Sequence, residues 1–111
     1  MNIRDVADPL SLEVKTTTGD PERTITGCYI SDLLSDVMAN AKEGQVWITL
    51  QTHPNIVAVA ALKNLSGIII TNKRVPEAET MKKAENESIL IAVSPLSTFE
   101  AGGILYKLLR C

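Results

Sequence analysis

The sequence predicts an α/β protein. It is read as one small domain with a mostly parallel sheet of about four to six strands and helices on both faces. Three observations carry that expectation. First, the apolar runs Ile68-Ile69-Ile70 and Ile89-Leu90-Ile91-Ala92-Val93 lack alternation, as strands covered on both faces do in a parallel sheet. Ile68, Ile69, Ile70, Leu90, Ile91 and Ala92 are therefore expected to be buried. Second, the unit strand, polar loop, helix recurs three times in the second half of the chain. Third, aromatics make up only 4% of the residues, so the core must be aliphatic. Small helix residues packing on β-branched strands satisfy that need.

Taken in order, Asn2 to Asp8 reads as a short helix, and Leu12 to Thr16 alternates as a half-buried strand does. Thr18-Gly19-Asp20-Pro21 signals a loop. Ile25 to Ile30 is a second strand, weakened by Gly27. Ser31-Asp32 offers an N-cap, because a short side-chain oxygen can accept a bond from an unpaired first-turn amide. Leu33, Leu34, Val37, Met38 and Ala41 follow at helical spacing, with Gly44 as the C-cap. Val46 to Leu50 is a strand by its β-branched and aromatic content. Thr52-His53-Pro54 starts a helix, since Pro54 is preorganised for a first helical position, and the Ala- and Val-rich stretch to Leu65 continues it. Gly67 to Thr71 is a central strand. Pro76 opens a further helix, with Glu77 and Glu79 at its positive end. Ile89 to Val93 is another buried strand. Ser97-Thr98-Phe99-Glu100 matches a capping box, and Ile104, Leu105, Leu108 and Leu109 continue an amphipathic helix. Whether the first two strands run parallel to the rest stays open.

Bulk properties narrow the function. The chain has 111 residues, the length of one domain, and a net charge of −2. Nucleic-acid binding normally shows a basic stripe. Lys82-Lys83 is followed by Glu85 and Glu87, so a solvated helix face accounts for it. No run approaches the roughly 20 apolar residues of a membrane span. Arg4, Asp5 and Asp8 interrupt the opening segment, unlike a secretory signal. Cys28 and Cys111 lack CxxC spacing, and with the single His53 they fall short of the about four ligands of a zinc site. A cytoplasmic protein with reduced thiols and no cofactor is expected.

Right-handed crossovers would bring three loops to one edge of the sheet, beyond the strand carboxyl ends, where open α/β sheets bind ligands. The loops are Gln51 to Asn55, Thr71 to Arg74, and Ser94 to Thr98. Each precedes a helix N-terminus, which favours an anion. The candidate ligand residues are Thr49, Thr52, His53, Asn55, Thr71, Asn72, Lys73, Ser94 and Ser97. The same residue types also cap helices and close turns, so both roles are open. His53 is suited to a cap or a ligand contact. As a general base it would need an orienting carboxylate, and none lies near it in sequence. No GxxxxGK[ST] or GxSxG motif is present. Gly102-Gly103 falls inside a helix at some cost. It calls for close packing on a strand or for contact with a second chain.

Tyr29 to Ala41, Trp47-Ile48-Thr49 and Thr52 to Ala60 together resemble the stand-alone DRTGG-domain proteins of anaerobic bacteria and archaea. The resemblance spans nearly all of residues 1–111. It implies a small α/β fold related to the N-terminal domain of HPr kinase. Larger relatives carry the domain beside CBS domains in pyrophosphatases and beside the catalytic domain of phosphotransacetylases, in a regulatory role. Relatives encoded near iron-only hydrogenase genes imply an enzyme partner. Where relatives have Thr-Gly-Gly, this chain has Thr71-Asn72-Lys73, and Lys73 is poorly suited to the left-handed backbone that glycine adopts freely. A kinase activity sometimes attached to the family is not expected, because the P-loop domain that would carry it is missing. The expected function is thus a non-catalytic regulatory module. It would bind a small anionic ligand, such as a nucleotide, at the carboxyl edge of the sheet. The alternative is a homodimeric scaffold that acts with a metabolic or hydrogenase-type enzyme.

Overall fold

Strands that are apolar on both sides need cover on both sides, and the computed structural model, which describes residues 1–110, supplies it. The elements run α1 (Ile3–Leu10), β1 (Glu13–Val14), β2 (Gly27–Ile30), α2 (Leu34–Asn40), β3 (Gln45–Thr49), α3 (Asn55–Leu62), β4 (Gly67–Ile70), α4 (Ala78–Glu87), β5 (Ile91–Val93) and α5 (Thr98–Leu109). The sheet order is β1-β5-β4-β3-β2. Strands β2 to β5 are parallel, and β1 pairs antiparallel with β5. The orientation left open by the sequence is therefore settled one way for each early strand. Cys111, one of the two thiols expected to be reduced, lies outside the described residues.

Register sorts the side chains into rows. Trp47 stands beside Ile68, and Ile68 beside Ile91; Ile48, Ile69 and Ala92 form the next row. The first row joins one core with Val37, Ile56, Val57, Ala60 and Ala84, from α2, α3 and α4. The second row joins the other core with Ile3, Val6, Leu10, Ala101 and Leu105, from α1 and α5. The three crossovers from β2 to β5 step the same way and put their helices on one face, as a constant hand requires. Ile68, Ile69, Ile70, Leu90, Ile91 and Ala92 are all buried, as their runs predict. Trp47 is fully buried, and its Nε1 donates to the Ser31 carbonyl at 2.8 Å.

Several boundaries differ from expectation for local reasons. Helix α1 runs on through Pro9 to Leu10, because Leu10 completes the buried stripe begun by Ile3 and Val6. Its N-cap is Asn2, in a capping box with Asp5, so Asn2 stands just before the helix rather than in it. Strand β1 is two residues long and exposed rather than half-buried over Leu12 to Thr16. The Thr16 hydroxyl takes over from the ladder by accepting from the Ile91 amide at 3.2 Å. Ser31-Asp32 does not cap α2, whose cap residue is Leu33 with no side-chain bond. The Asp32 carboxylate is drawn instead to donors at the end of β3. Gly44 has φ +84 but is not the cap of α2, which ends at Asn40. It sits in the turn before β3, where a Cβ would fall 2.8 Å from Thr26. Helix α4 begins at Ala78, after an extended Glu77 whose amide donates to the Thr52 carbonyl.

Candidate functional site

Because β2 to β5 are parallel, four loops rather than three gather at their carboxyl ends. The fourth, between β2 and α2, carries Asp32. Its Oδ1 accepts from Thr49 Oγ1 at 2.8 Å and from the Leu50 amide at 2.7 Å, and Gln51 Nε2 donates to the Asp32 carbonyl. Asp32 lies outside the three loops expected from the sequence, whereas Gln51 lies within the first of them but is not among the candidate ligand residues. The strand assigned to Ile25–Ile30, followed by a helix, was the signal for a fourth. Next to it, Asp36 of α2 is held below the usual carboxylate range by bonds from Ser31, Tyr29 and Asn40.

The loops are tied to one another along the whole edge. The Thr52 carbonyl accepts from Thr80 Oγ1 at 2.6 Å, joining the β3–α3 loop to α4. Thr71 Oγ1 and Thr98 Oγ1 lie 2.6 Å apart, joining the end of β4 to α5. Ser94 Oγ donates to the Leu10 carbonyl at 2.7 Å and accepts from the Leu96 amide at 3.2 Å. Thr49, Thr71 and Ser94 are buried, and their hydroxyls are engaged within the chain. Thr52 and Ser97 are half-buried; His53, Asn55, Asn72 and Lys73 are exposed.

Local geometry explains the exposed residues. His53 Nδ1 accepts from the Asn55 amide at 3.0 Å and closes the first turn of α3. The proton of the neutral ring then sits on Nε2. Asn72 and Lys73 have φ +57 and +58, and the Arg74 amide returns to the Thr71 carbonyl at 3.2 Å. Two successive left-handed residues closed by that bond form a type I′ turn, which Asn-Gly suits best. Lys73 thus adopts the conformation for which its residue type is poorly suited. The Asn72 and Lys73 amides donate inward to Leu96 and Ser94, so this turn offers a ligand side chains rather than a backbone cradle. Ser97 and Glu100 form the expected capping box, with the Glu100 amide donating to Ser97 Oγ and the Ser97 amide to Glu100 Oε1.

Two cavities lie away from this edge. One, of about 260 Å³, sits at the opposite edge and is lined by Arg23, Asn64, Ser66 and Glu87. The other, of about 280 Å³, lies between β2 and α5 and is lined by Cys28, Ile30 and Tyr106. Burial pushes the Cys28 thiol up to about 12, so it carries almost no thiolate at neutral pH. Among the described residues, no group of three His, Cys, Asp or Glu side chains is placed to hold a metal. No helix among them is long and apolar enough to cross a membrane.

The fold and its edge define a class: a single α/β sheet with cross-tied loops at one end. No family model matches the sequence, and no curated protein matches it. Among solved structures, the chain is similar to the CBS and DRTGG domains of the regulatory region of Clostridium perfringens pyrophosphatase, complexed with the activator diadenosine tetraphosphate. The TM-score is 0.69 at 17% identity over 94% of this chain. That likeness is one of fold. The chain spans 45% of the length of the structure it matches.

Proposed function

We propose that this chain is a cytoplasmic, non-catalytic regulatory module, a DRTGG-like domain over residues 1–111, that binds a small anionic ligand at the carboxyl edge of its sheet. A nucleotide is the first candidate. The observation that supports this most is the exposed left-handed turn at Asn72-Lys73. Strained backbone survives where the surroundings over-determine it, and it concentrates at ligand sites. The turn presents Lys73 and Arg74 before the start of α4 and against the loop of Ser94 and Leu96 that leads into α5. Thr52, His53, Asn55 and Ser97 supply neutral donors and acceptors around them, with Thr49, Thr71 and Ser94 as the buried ties that hold the loops. The similar regulatory region was solved with a nucleotide activator, which points the search to that ligand class. A thermal-shift screen with mono- and dinucleotides, diadenosine tetraphosphate included, tests the proposal. A ligand at about 100 times its Kd adds roughly 2.7 kcal/mol of stability, and Lys73→Ala with Arg74→Ala should remove most of that gain. A flat screen, or an equal shift in the double variant, rejects the edge as the site.

A second reading is a homodimeric scaffold that works with a metabolic or hydrogenase-type enzyme. The exposed Phe99 and Tyr106 of α5 favour it. Light scattering at micromolar concentration tests it, since one chain has a mass of 12.0 kDa.

A further inference from the structure

Helix α5 has two distinct faces. Ala101 and Leu105 are buried under the sheet, while Phe99, Glu100, Gly103, Tyr106, Lys107 and Arg110 are exposed. Phe99 is 89% exposed and Tyr106 70%, the values for a face with nothing over it in a single chain. A Cβ on Gly102 would fall 2.7 Å from Ile30 Cδ1, the free end of an exposed side chain that can turn aside, so Gly102 lies close to β2 without a rigid steric demand for glycine. A Cβ on Gly103 would meet nothing within 4 Å. Beside this stripe runs the groove of about 280 Å³ between α5 and β2, walled by Ile30, Gly102, Tyr106, Leu109 and Arg110. Charge changes sign along the helix, from Glu100 in its first turn to Lys107 in its last.

We propose that this face joins two copies of the chain, with α5 packed antiparallel on α5 about a twofold axis at Gly103. The proposal rests on the homodimer reading above and adds its geometry. In such a pair, residues equally far on either side of Gly103 meet. Phe99 then comes opposite position 107 of the second copy, between the Tyr106 and Arg110 that wall its groove. A cavity of about 150 Å³ holds a benzene molecule, so the larger groove accommodates the phenyl ring. Knob and groove lie on the same surface, and each copy supplies both, which is the condition of an isologous contact. Glu100 comes within one residue of Lys107 of the second copy, on both sides of the axis. A parallel pairing would instead set Glu100 on Glu100 and Lys107 on Lys107. Gly103, with no side chain, lets the two backbones approach where the helices cross.

Sedimentation equilibrium on charge variants tests this arrangement. The native chain is expected at twice 12.0 kDa, and Phe99→Asp at the mass of one chain with an unchanged circular dichroism spectrum. Lys107→Glu and Glu100→Lys should each raise the dimer Kd at least about tenfold, because each sets like charges together across the axis. An equimolar mixture of the two variants should recover native affinity, because both contacts are then between opposite charges. Phe99→Asp decides the matter if Glu100→Lys, which also loses its capping bond, does not fold. A native chain that sediments as one copy overturns this proposal and the homodimer reading together. A dimeric native chain whose Phe99→Asp variant stays dimeric overturns the α5 pairing and leaves the homodimer reading standing.

Discussion

At the scale of the residue, left-handed backbone recurs at Ser11, Asn64, Asn72, Lys73 and Ser88, and Lys73 is the longest side chain among them, while a dense set of bonds gathers elsewhere. Lys73, at φ +58, has a side chain in a region where an L-residue with a Cβ is disfavoured by about 1–2 kcal/mol. Lys73→Gly should therefore raise stability, by about 1 kcal/mol once the greater freedom of glycine in the unfolded chain is subtracted. Urea denaturation measures it, and a loss of stability would mean that the lysine stem contributes more than its backbone costs. Glu85 is the dense case. Its carboxylate accepts from the amides and hydroxyls of both Thr17 and Thr18, at 2.8 to 3.0 Å. The Thr17 amide foremost, then those of Thr18, hold it down to about 2, against 4.5 ordinarily. A folded-state value below the unfolded one gives stability that is complete above about pH 4.5 and is lost as pH falls from there through about 2. Glu85→Gln should flatten this acid limb of the melting profile. A variant that keeps the native slope between pH 5 and pH 2 would show that the loop at residues 17–18 is held by other means.

At the scale of the element, the last helix and the central strand were the most legible parts of the sequence, for different reasons. The Ser97–Glu100 box is a local motif whose bonds form whatever the helix packs against. Ser97→Ala should cost about 1 kcal/mol, read from the shift in denaturation midpoint at constant slope. Strand β4 was legible because an unbroken Ile run has nowhere to go but between two layers. Ile69 is fully buried against the α1 and α5 layer, and Ile69→Ala should cost about 2–5 kcal/mol; a midpoint that barely moves would place the residue at a loose margin. The beginnings of α2 and α4 were less legible. Their caps are decided by distant partners, Thr49 and Leu50 for Asp32 and the Thr52 carbonyl for Glu77, which no local pattern announces. The same is true of the candidate site. The residue types at the edge could be read in advance, but not the division that the structure makes between Thr49, Thr71 and Ser94, turned inward, and Lys73, Asn72 and His53, turned out.

At the scale of the whole molecule, the order of strands in space departs from the order along the chain at one point only. Strands β2 to β5 lie side by side in sequence order, so each crossover can close as soon as its two strands exist. The exception is β1, whose Glu13 pairs with Val93. Helix α1 shares that dependence, because its buried stripe rests on a layer completed by Leu90, Ala92, Ala101 and Leu105. A ribosome adds about 5–20 residues per second, so the 80 residues separating positions 13 and 93 take about 4–16 s to make. For that interval Ile3, Val6 and Leu10 have no finished surface to cover. Helix α1 and strand β1, made before β5 and α5, are thus among the last of these elements to be placed, and the emerging chain carries their sticky stripe uncovered until Leu105 is made.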